Sequence, residues 1–465
     1  MKIQQDLGVK DLQQSLQRFW QVSAQKIRSI RREYDTSRGS PVFTEDGAYT
    51  TRGWTEWTQG FQFGSEILQF DATGEKEFLE WGREATLNKM APHITHMGVH
   101  DHGFNNVSTY GALWRLCREG RIEASQWERN FYNLALKSTG AVQASRWTPT
   151  ASGEGFIHSF NGPHSLFVDT VRTLRALALS YQLGHLLYGE HDEQISLLGR
   201  LIEHARSTAN YNIYYGEGRD NYDQRGRTAH EAVFNVTDGQ YRCPNSQQGF
   251  SPFSTWTRGL SWAMCGFSEQ LEFLDILQDE ELDPYGGRKA IEAMMRKAAS
   301  ATCDFYIENS SLDGIPYWDT GAPQLHKLGD YTGAPADPYN DYEPVDSSAA
   351  AIGAQGLLRL GDYLKAKGEQ DQGRRYWHAG LTVAQTLLEE PYLSTEESHQ
   401  GLLLHSVYHR PNGWDYIPPD QNIPCGESSM WGDYHMRELA LYLSRMASGS
   451  TYYTFFTGTE QKEAR

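Results

Sequence analysis

Two aspartates sit where a carboxylate needs a physical reason. Asp169 lies in Leu166-Phe167-Val168-Asp169-Thr170-Val171, an otherwise apolar run. A buried carboxylate is costly unless it is paired, hydrogen-bonded or protonated. Arg172, three residues on, offers a purely structural ion pair. Asp101 stands between two histidines in His100-Asp101-His102-Gly103-Phe104, at the start of a helical pattern. An N-cap is the ordinary role for an Asp there.

A third cluster runs from Gln248 to Trp262. Ser254 or Thr255 can cap a helix that opens at Trp256. Arg258 and Trp262 are four apart and share one helix face. A cation beside an indole could hold a sugar acid, charge to carboxylate and ring to ring. An amphipathic helix with a snorkelling Arg is the plainer reading. Aromatic residues reach 12% of the chain. Several tryptophans fall in polar or Gly-rich loops: Trp54, Trp57, Trp256, Trp318 and Trp431. Loop aromatics beside His and Asp fit a carbohydrate cleft, although filling a large core explains any single one of them.

Composition narrows the classes. The chain has 465 residues with 39% hydrophobic and 22% charged, which is a folded globular composition able to bury a core without disulfide or metal staples. The net charge of −17 disfavours nucleic acid and anionic membrane as partners. No run of about 18 apolar residues is present, so no membrane span is expected. The five cysteines (Cys117, Cys243, Cys265, Cys303, Cys425) are scattered and odd in number, which argues against a zinc site and for a reducing compartment. The first residues lack the apolar stretch of a signal peptide, so a cytoplasmic location is expected. A chain whose leader had been removed would look the same, which keeps a periplasmic or secreted location open.

No phosphate-binding Gly loop, dinucleotide fingerprint, zinc-protease or nucleophile-elbow motif occurs. Asp337, Asp341 and Glu343 lack calcium-loop spacing and read as a solvated acidic loop.

The elements that must position these residues are helical. Apolar periodicity marks helices at roughly 9–33, 60–71, 76–92, 104–118, 124–139, 164–188, 193–209, 257–275, 285–307, 347–366, 372–389 and 432–447. Strand candidates are short, at 232–236 and 402–408. Twelve helices without a linker tract predict one all-α domain over 1–448, followed by a polar tail at 449–465 that is expected to fray. Six helical hairpins can close into an (α/α)6 toroid. No 34- or 40-residue period supports a solenoid instead. Long loops at 210–256, 308–346 and 390–431 build a cleft at one end and carry much of the Gly, Pro, His and Trp.

From about residue 50 to 446 the chain resembles glycoside hydrolase family 88, the unsaturated glucuronyl hydrolases. The resemblance is carried in order by Trp57-Thr58-Gln59-Gly60-Phe61, His100 to Phe104, Val168-Asp169, His230, Gln248 to Trp262, Pro316-Tyr317-Trp318-Asp319, Asp346 to Ala351, and Trp431-Gly432-Asp433-Tyr434. It implies an (α/α)6 barrel. It implies that Asp169 is the catalytic acid/base and Asp101 its companion carboxylate. It further implies that His100, His230, Gln248, Arg258 and Trp262 line the sugar subsite, with Trp57 a stacking wall. Two segments depart from the family pattern: a polar run from Asn210 to Arg227, and an extra loop at 332–344.

The chemistry implied is hydration of a C4=C5 double bond in an unsaturated uronic acid, with no cofactor and no metal. Apolar packing and the charge of Asp101 are expected to raise the Asp169 pKa, the two titrating jointly. The implied partner is a small unsaturated-uronate oligosaccharide, acted on by a monomer or homodimer. Alternatives are the sister family of unsaturated rhamnogalacturonyl hydrolases, a non-catalytic carbohydrate-binding toroid, and a sugar 2-epimerase using paired histidines such as His100/His102 or His405/His409.

Overall fold

Six helical segments bury nearly every residue they contain and form an inner ring. They are Gln59–Thr73, His102–Asn106 continuing through a π-helical turn Val107–Gly111 into Ala112–Arg118, Thr170–Thr173 with Arg175–Gln182, Thr257–Leu274, Ser347–Ala366 and Met430–Ala447. Each packs on the next, and Met430–Ala447 packs back on Gln59–Thr73, so the ring closes. Six amphipathic helices stand outside it: Gln13–Glu33, Lys76–Lys89, Gln126–Ser145, Leu197–Tyr211, Arg288–Asn309 and Gln370–Leu387. The computed structural model describes residues 1–53, 57–452 and 454–456. This is the (α/α)6 toroid expected from the periodicity.

The ring is tight because small residues stand where helices touch. A Cβ on Gly60 would lie 2.3 Å from the Asn105 carbonyl oxygen, and one on Gly103 would lie 2.3 Å from that of Thr173. Gly103 therefore lets the segment beginning at His102 press against the one beginning at Thr170. Asp101 and Asp169 immediately precede those two segments.

A charged network fills the middle of the barrel. Arg172 donates to Glu269 at 2.7 Å and to Glu438 at 3.0 Å, while Arg175 reaches Glu438 at 3.3 Å. Arg172 is thus spoken for inside the barrel and is not the salt-bridge partner of Asp169.

Other expectations change. The predicted helix 164–188 begins as a strand, Ser165–Phe167, paired antiparallel with Glu231–Phe234, which pairs in turn with Tyr241–Asn245. Apolar periodicity could not separate a short buried strand from the helix that follows it. The candidate strand at 402–408 forms only isolated bridges at Leu403 and Leu404. The helix expected to open at Trp256 starts at Thr257, with Trp256 at the N-cap. Thr255 instead accepts a hydrogen bond from the Thr228 amide through Oγ1. Glu343 is not a solvated acid: it is buried and accepts from Trp318 Nε1 and the Gln324 amide, both at 2.8 Å.

Part of the tail also packs. Phe455 and Phe456 are 2% and 3% exposed, and Phe456 stands 5.3 Å from Phe273 near the C-terminal end of an inner helix. Residues 457–465 and Trp54 lie outside the described residues.

Candidate active site

All six inner segments point their N-termini to the same end. Trp57, Asp101, Asp169, Trp256, Asp346 and Ser429 sit at or just before those starts. Helix N-termini carry partial positive charge and unpaired amides. The ring thus turns a favourable field toward an anion at one mouth, although the chain as a whole carries −17.

Asp101 occupies an N-cap position but makes no side-chain cap bond. Its carboxylate instead turns to His100. The His100 Nε2 stands 3.8 Å from Asp101 Oδ1 and 3.6 Å from Asp169 Oδ1. Both separations are longer than a hydrogen bond. The imidazole is packed by Phe160 at 6.0 Å and Phe167 at 5.5 Å. Arg146 closes the Asp101 side, donating to the carbonyls of Met97, His158 and Ser159.

Pairing of Ser165–Phe167 with Glu231–Phe234 brings His230 beside Asp169, and the Val168 amide donates to the His230 carbonyl at 2.9 Å. His230 Nδ1 accepts from the amides of Gln247 at 3.0 Å and Gln248 at 3.3 Å. Its proton must then sit on Nε2. That atom is buried without a protein partner, as are Asp169 Oδ1 and both ring nitrogens of His100. Buried polar atoms are nearly always paired. A cluster of unpaired ones at a helix-lined mouth marks the place where a polar ligand completes them.

The sequence residues divide by position. His100, Asp101, Asp169 and His230 come together. Trp57 stacks on Trp431 at 5.1 Å with a 28° interplanar angle. Arg258 lies over Trp431 and Trp256, and Trp256 meets His230 at 4.8 Å, which makes one aromatic arc. Arg258 is not a free cation, however. It donates to Asp346 at 2.9 Å, to the carbonyls of Val407 and Tyr408, and to Gln248 Oε1 at 3.1 Å. Its evident task is to orient Gln248, leaving that amide's NH2 to donate elsewhere. Trp262 is 1% exposed between Phe104 and His435, so it supports the floor and does not line the surface. Sequence reasoning did not single out Arg146, Phe160 or Tyr408, because none carries a local signature. Asp346 was visible only as part of a motif, and it caps an inner helix through the amides of Ser348 and Ala349.

Charge runs counter to one expectation. Burial alone would raise Asp169, but the His100 imidazole beside it outweighs burial and holds the carboxyl below its usual range. Burial, with the Asp169 charge adding to it, pushes Asp101 upward against His100. Burial lowers His100, yet the two carboxylates overcome this and raise it. Burial brings His230 down to about 4, so it is neutral near pH 7. The directions of these shifts favour a proton on the Asp101–His100 side over one on Asp169. The epimerase pairs do not form: His102 lies between Thr139 and the His96 carbonyl, and His405 and His409 accept from the Gly426 and Asn412 amides. Among the described residues there is no group of three His, Cys, Asp or Glu side chains that could hold a metal, and no helix long and apolar enough to cross a membrane.

The ring and its mouth define an (α/α)6 barrel with two carboxylates facing one imidazole. Comparison with known proteins narrows it further: the chain is similar to the unsaturated glucuronyl hydrolases. It is 25% identical over 406 residues to the unsaturated glucuronyl hydrolase of Bacillus sp. (strain GL1), covering 86% of this chain and 89% of that one. It is 23% identical over 407 residues to the unsaturated chondroitin disaccharide hydrolase of Streptococcus pyogenes serotype M1, covering 86% and 84%. The crystal structure of the Bacillus sp. GL1 enzyme superposes with a TM-score of 0.69 at 20% identity, covering 93% of this chain and 98% of that one. No family model matches the chain.

Proposed function

We propose that this protein removes a 4,5-unsaturated uronic acid from the non-reducing end of lyase-generated oligosaccharides by hydrating the C4=C5 bond. The observation that carries this is His100 Nε2 within 4 Å of both Asp101 and Asp169 in a buried cluster of unpaired polar atoms. The curated relatives are named for reactions of this kind.

In this reading the substrate carboxylate enters at the helix N-termini beside His230 and the Gln248 amide. Its charge raises the Asp169 pKa, and Asp169 takes up the proton held by its neighbours. Asp169 delivers that proton to C4. Positive charge develops at C5 next to the ring oxygen, water adds there, and the water proton returns to the Asp169 carboxylate. The hemiketal opens by breaking the C5–ring-oxygen bond, which leaves a ketone at C5 and a hemiacetal at C1. The hemiacetal collapses to the aldehyde, its C1–O bond to the aglycone breaks, and the aglycone leaves as an alcohol with the hemiacetal proton. Trp57 stacks on the sugar face. The loops at 210–227 and 332–344 shape the leaving-group side; Arg227 donates to the Pro252 carbonyl and Tyr339 packs on His405. The five unpaired cysteines support a reducing compartment.

Isotope placement tests the reading. Reaction in ¹⁸O-water should put the label on C5 of the uronate product, and reaction in deuterated water should put deuterium on C4. Label on the anomeric carbon, together with cleavage of saturated glucuronides, would leave a conventional two-carboxylate glycosidase.

A further inference from the structure

Away from the His100 cluster, a cavity of about 480 Å³ opens between the end of helix Gln126–Ser145, the start of Leu197–Tyr211 and a small hairpin, Leu187–Tyr188 paired with Gln194–Ile195. Its volume lies within the roughly 300–1,000 Å³ usual for small-ligand sites. Its lining holds Trp147, Tyr188, Glu190, His191, Asp192 and Arg200.

Arg200 is the feature that needs an explanation. Its guanidinium lies 3.8 Å over the Trp147 ring. Its Nε is buried without a hydrogen-bond partner. The charges of Glu203 and Glu193 act on it, but neither forms an ion pair with it among the described residues. A stacked, half-buried arginine normally gains a planar acceptor for its fork of donors. Trp147 is itself held in place: it packs so tightly on Gly155 that a Cβ there would lie 2.4 Å from the indole. Tyr188, 61% exposed, supplies an open aromatic face instead. Glu190 and Asp192 stand on the hairpin tip, where His191 and Asp192 adopt positive φ of 55° and 61°. Non-glycine residues pay for such backbone with strain, and strain of this kind gathers where side chains must be aimed.

We propose that this pocket is a second binding site, for an acidic sugar. Arg200 pairs with the sugar carboxylate, Glu190 and Asp192 accept from ring hydroxyls, and Tyr188 packs on the C–H face. The mixed lining selects this class. A bare inorganic anion would meet two carboxylates with no hydroxyl to offer them, and a neutral sugar would leave Arg200 unpaired. The inference does not depend on the reaction at Asp169.

The test uses the full-length protein carrying 5-fluorotryptophan, with the Trp147 resonance assigned from Trp147→Phe. Methyl β-D-glucuronide, a saturated sugar acid, should move that ¹⁹F resonance, while methyl β-D-glucoside and sulfate at the same concentration should not. Arg200→Gln should weaken the response at least about tenfold, in line with loss of a hydrogen-bonded charge pair. Tyr188→Ala, a change at an exposed position, should weaken it too. Turnover of a small unsaturated disaccharide should stay within about twofold of wild type in both variants. An unmoved Trp147 resonance, an equal response to glucoside or sulfate, or an undiminished response in Arg200→Gln and Tyr188→Ala would overturn the proposal.

Discussion

His100 Nε2 stands 3.6 Å from Asp169 Oδ1, close enough to set that carboxyl's charge state and too far to occupy it with a hydrogen bond. The same nitrogen faces Asp101 at 3.8 Å. One imidazole thus faces two buried carboxyls: it holds Asp169 low, while burial pushes Asp101 up against it. Four tests follow from this arrangement and from its supports.

Asp169→Asn should reduce turnover by at least about 10²–10⁴-fold, since an amide cannot relay a proton. Asp101→Asn should also be severe, and it should move the alkaline limb of the rate profile because it removes one of the two groups whose pKa is raised. The assay is loss of the conjugated-acid absorbance on lyase-made disaccharides, with circular dichroism as the control for folding. Near-wild-type rates in Asp169→Asn would remove it from the acid/base role.

Arg258→Ala is expected to damage the fold as well as the site. Its loss leaves Asp346 without its cation at the cap of an inner helix, and breaking a buried pair costs about 3–5 kcal/mol. The midpoint of denaturation should fall accordingly. The surviving folded fraction should show a raised KM, because Gln248 loses the partner that orients it. A variant with unchanged stability and only a KM defect would mean that the guanidinium contacts substrate directly.

Glu66 predicts a pH dependence of stability. It is buried beside Arg31 at 3.3 Å, its Oε2 has no partner, and burial pushes its pKa from the usual carboxylate range up to about 8. The folded state therefore holds a proton that the unfolded state releases. This contribution is fully present below the unfolded pKa and is lost as pH rises toward 8. Glu272, pushed up to about 7, acts in the same direction. Thermal melts should show Tm falling between pH 5 and 9, with Glu66→Gln losing less, by a margin on the order of a few °C. Parallel Tm profiles for wild type and Glu66→Gln would refute the assignment.

The packed tail gives a fourth test. Phe456→Ala should destabilise by about 3–5 kcal/mol, as expected for removing a buried ring. Turnover per folded molecule should hold, since the contact with Phe273 is near the C-terminal end of an inner helix and the site is at the N-terminal end. Unaltered denaturant midpoints would show that this end of the chain adds nothing to the barrel.

The helical periodicity by itself determined the class of fold, because a helix that buries one face against a ring must repeat its apolar residues every three to four positions. It also exposed Asp169, since a carboxylate in an apolar run breaks the local pattern. It could not show which groups would face that carboxylate. Arg172, adjacent in sequence, turns into the barrel toward Glu269 and Glu438, while His100, 69 positions away, takes the place beside Asp169. The pairing of Phe167 with Glu231 brings in His230, and the glycine contact at Gly103 brings in Asp101. Arg258 was readable as a cation on a helix face, but its saturation by Asp346 and two loop carbonyls exists only once residues 346, 407 and 408 converge. Residue types and spacing are local properties of the chain. The proton's resting place depends on distances of a few ångströms between segments far apart in sequence, and only ring closure sets those distances.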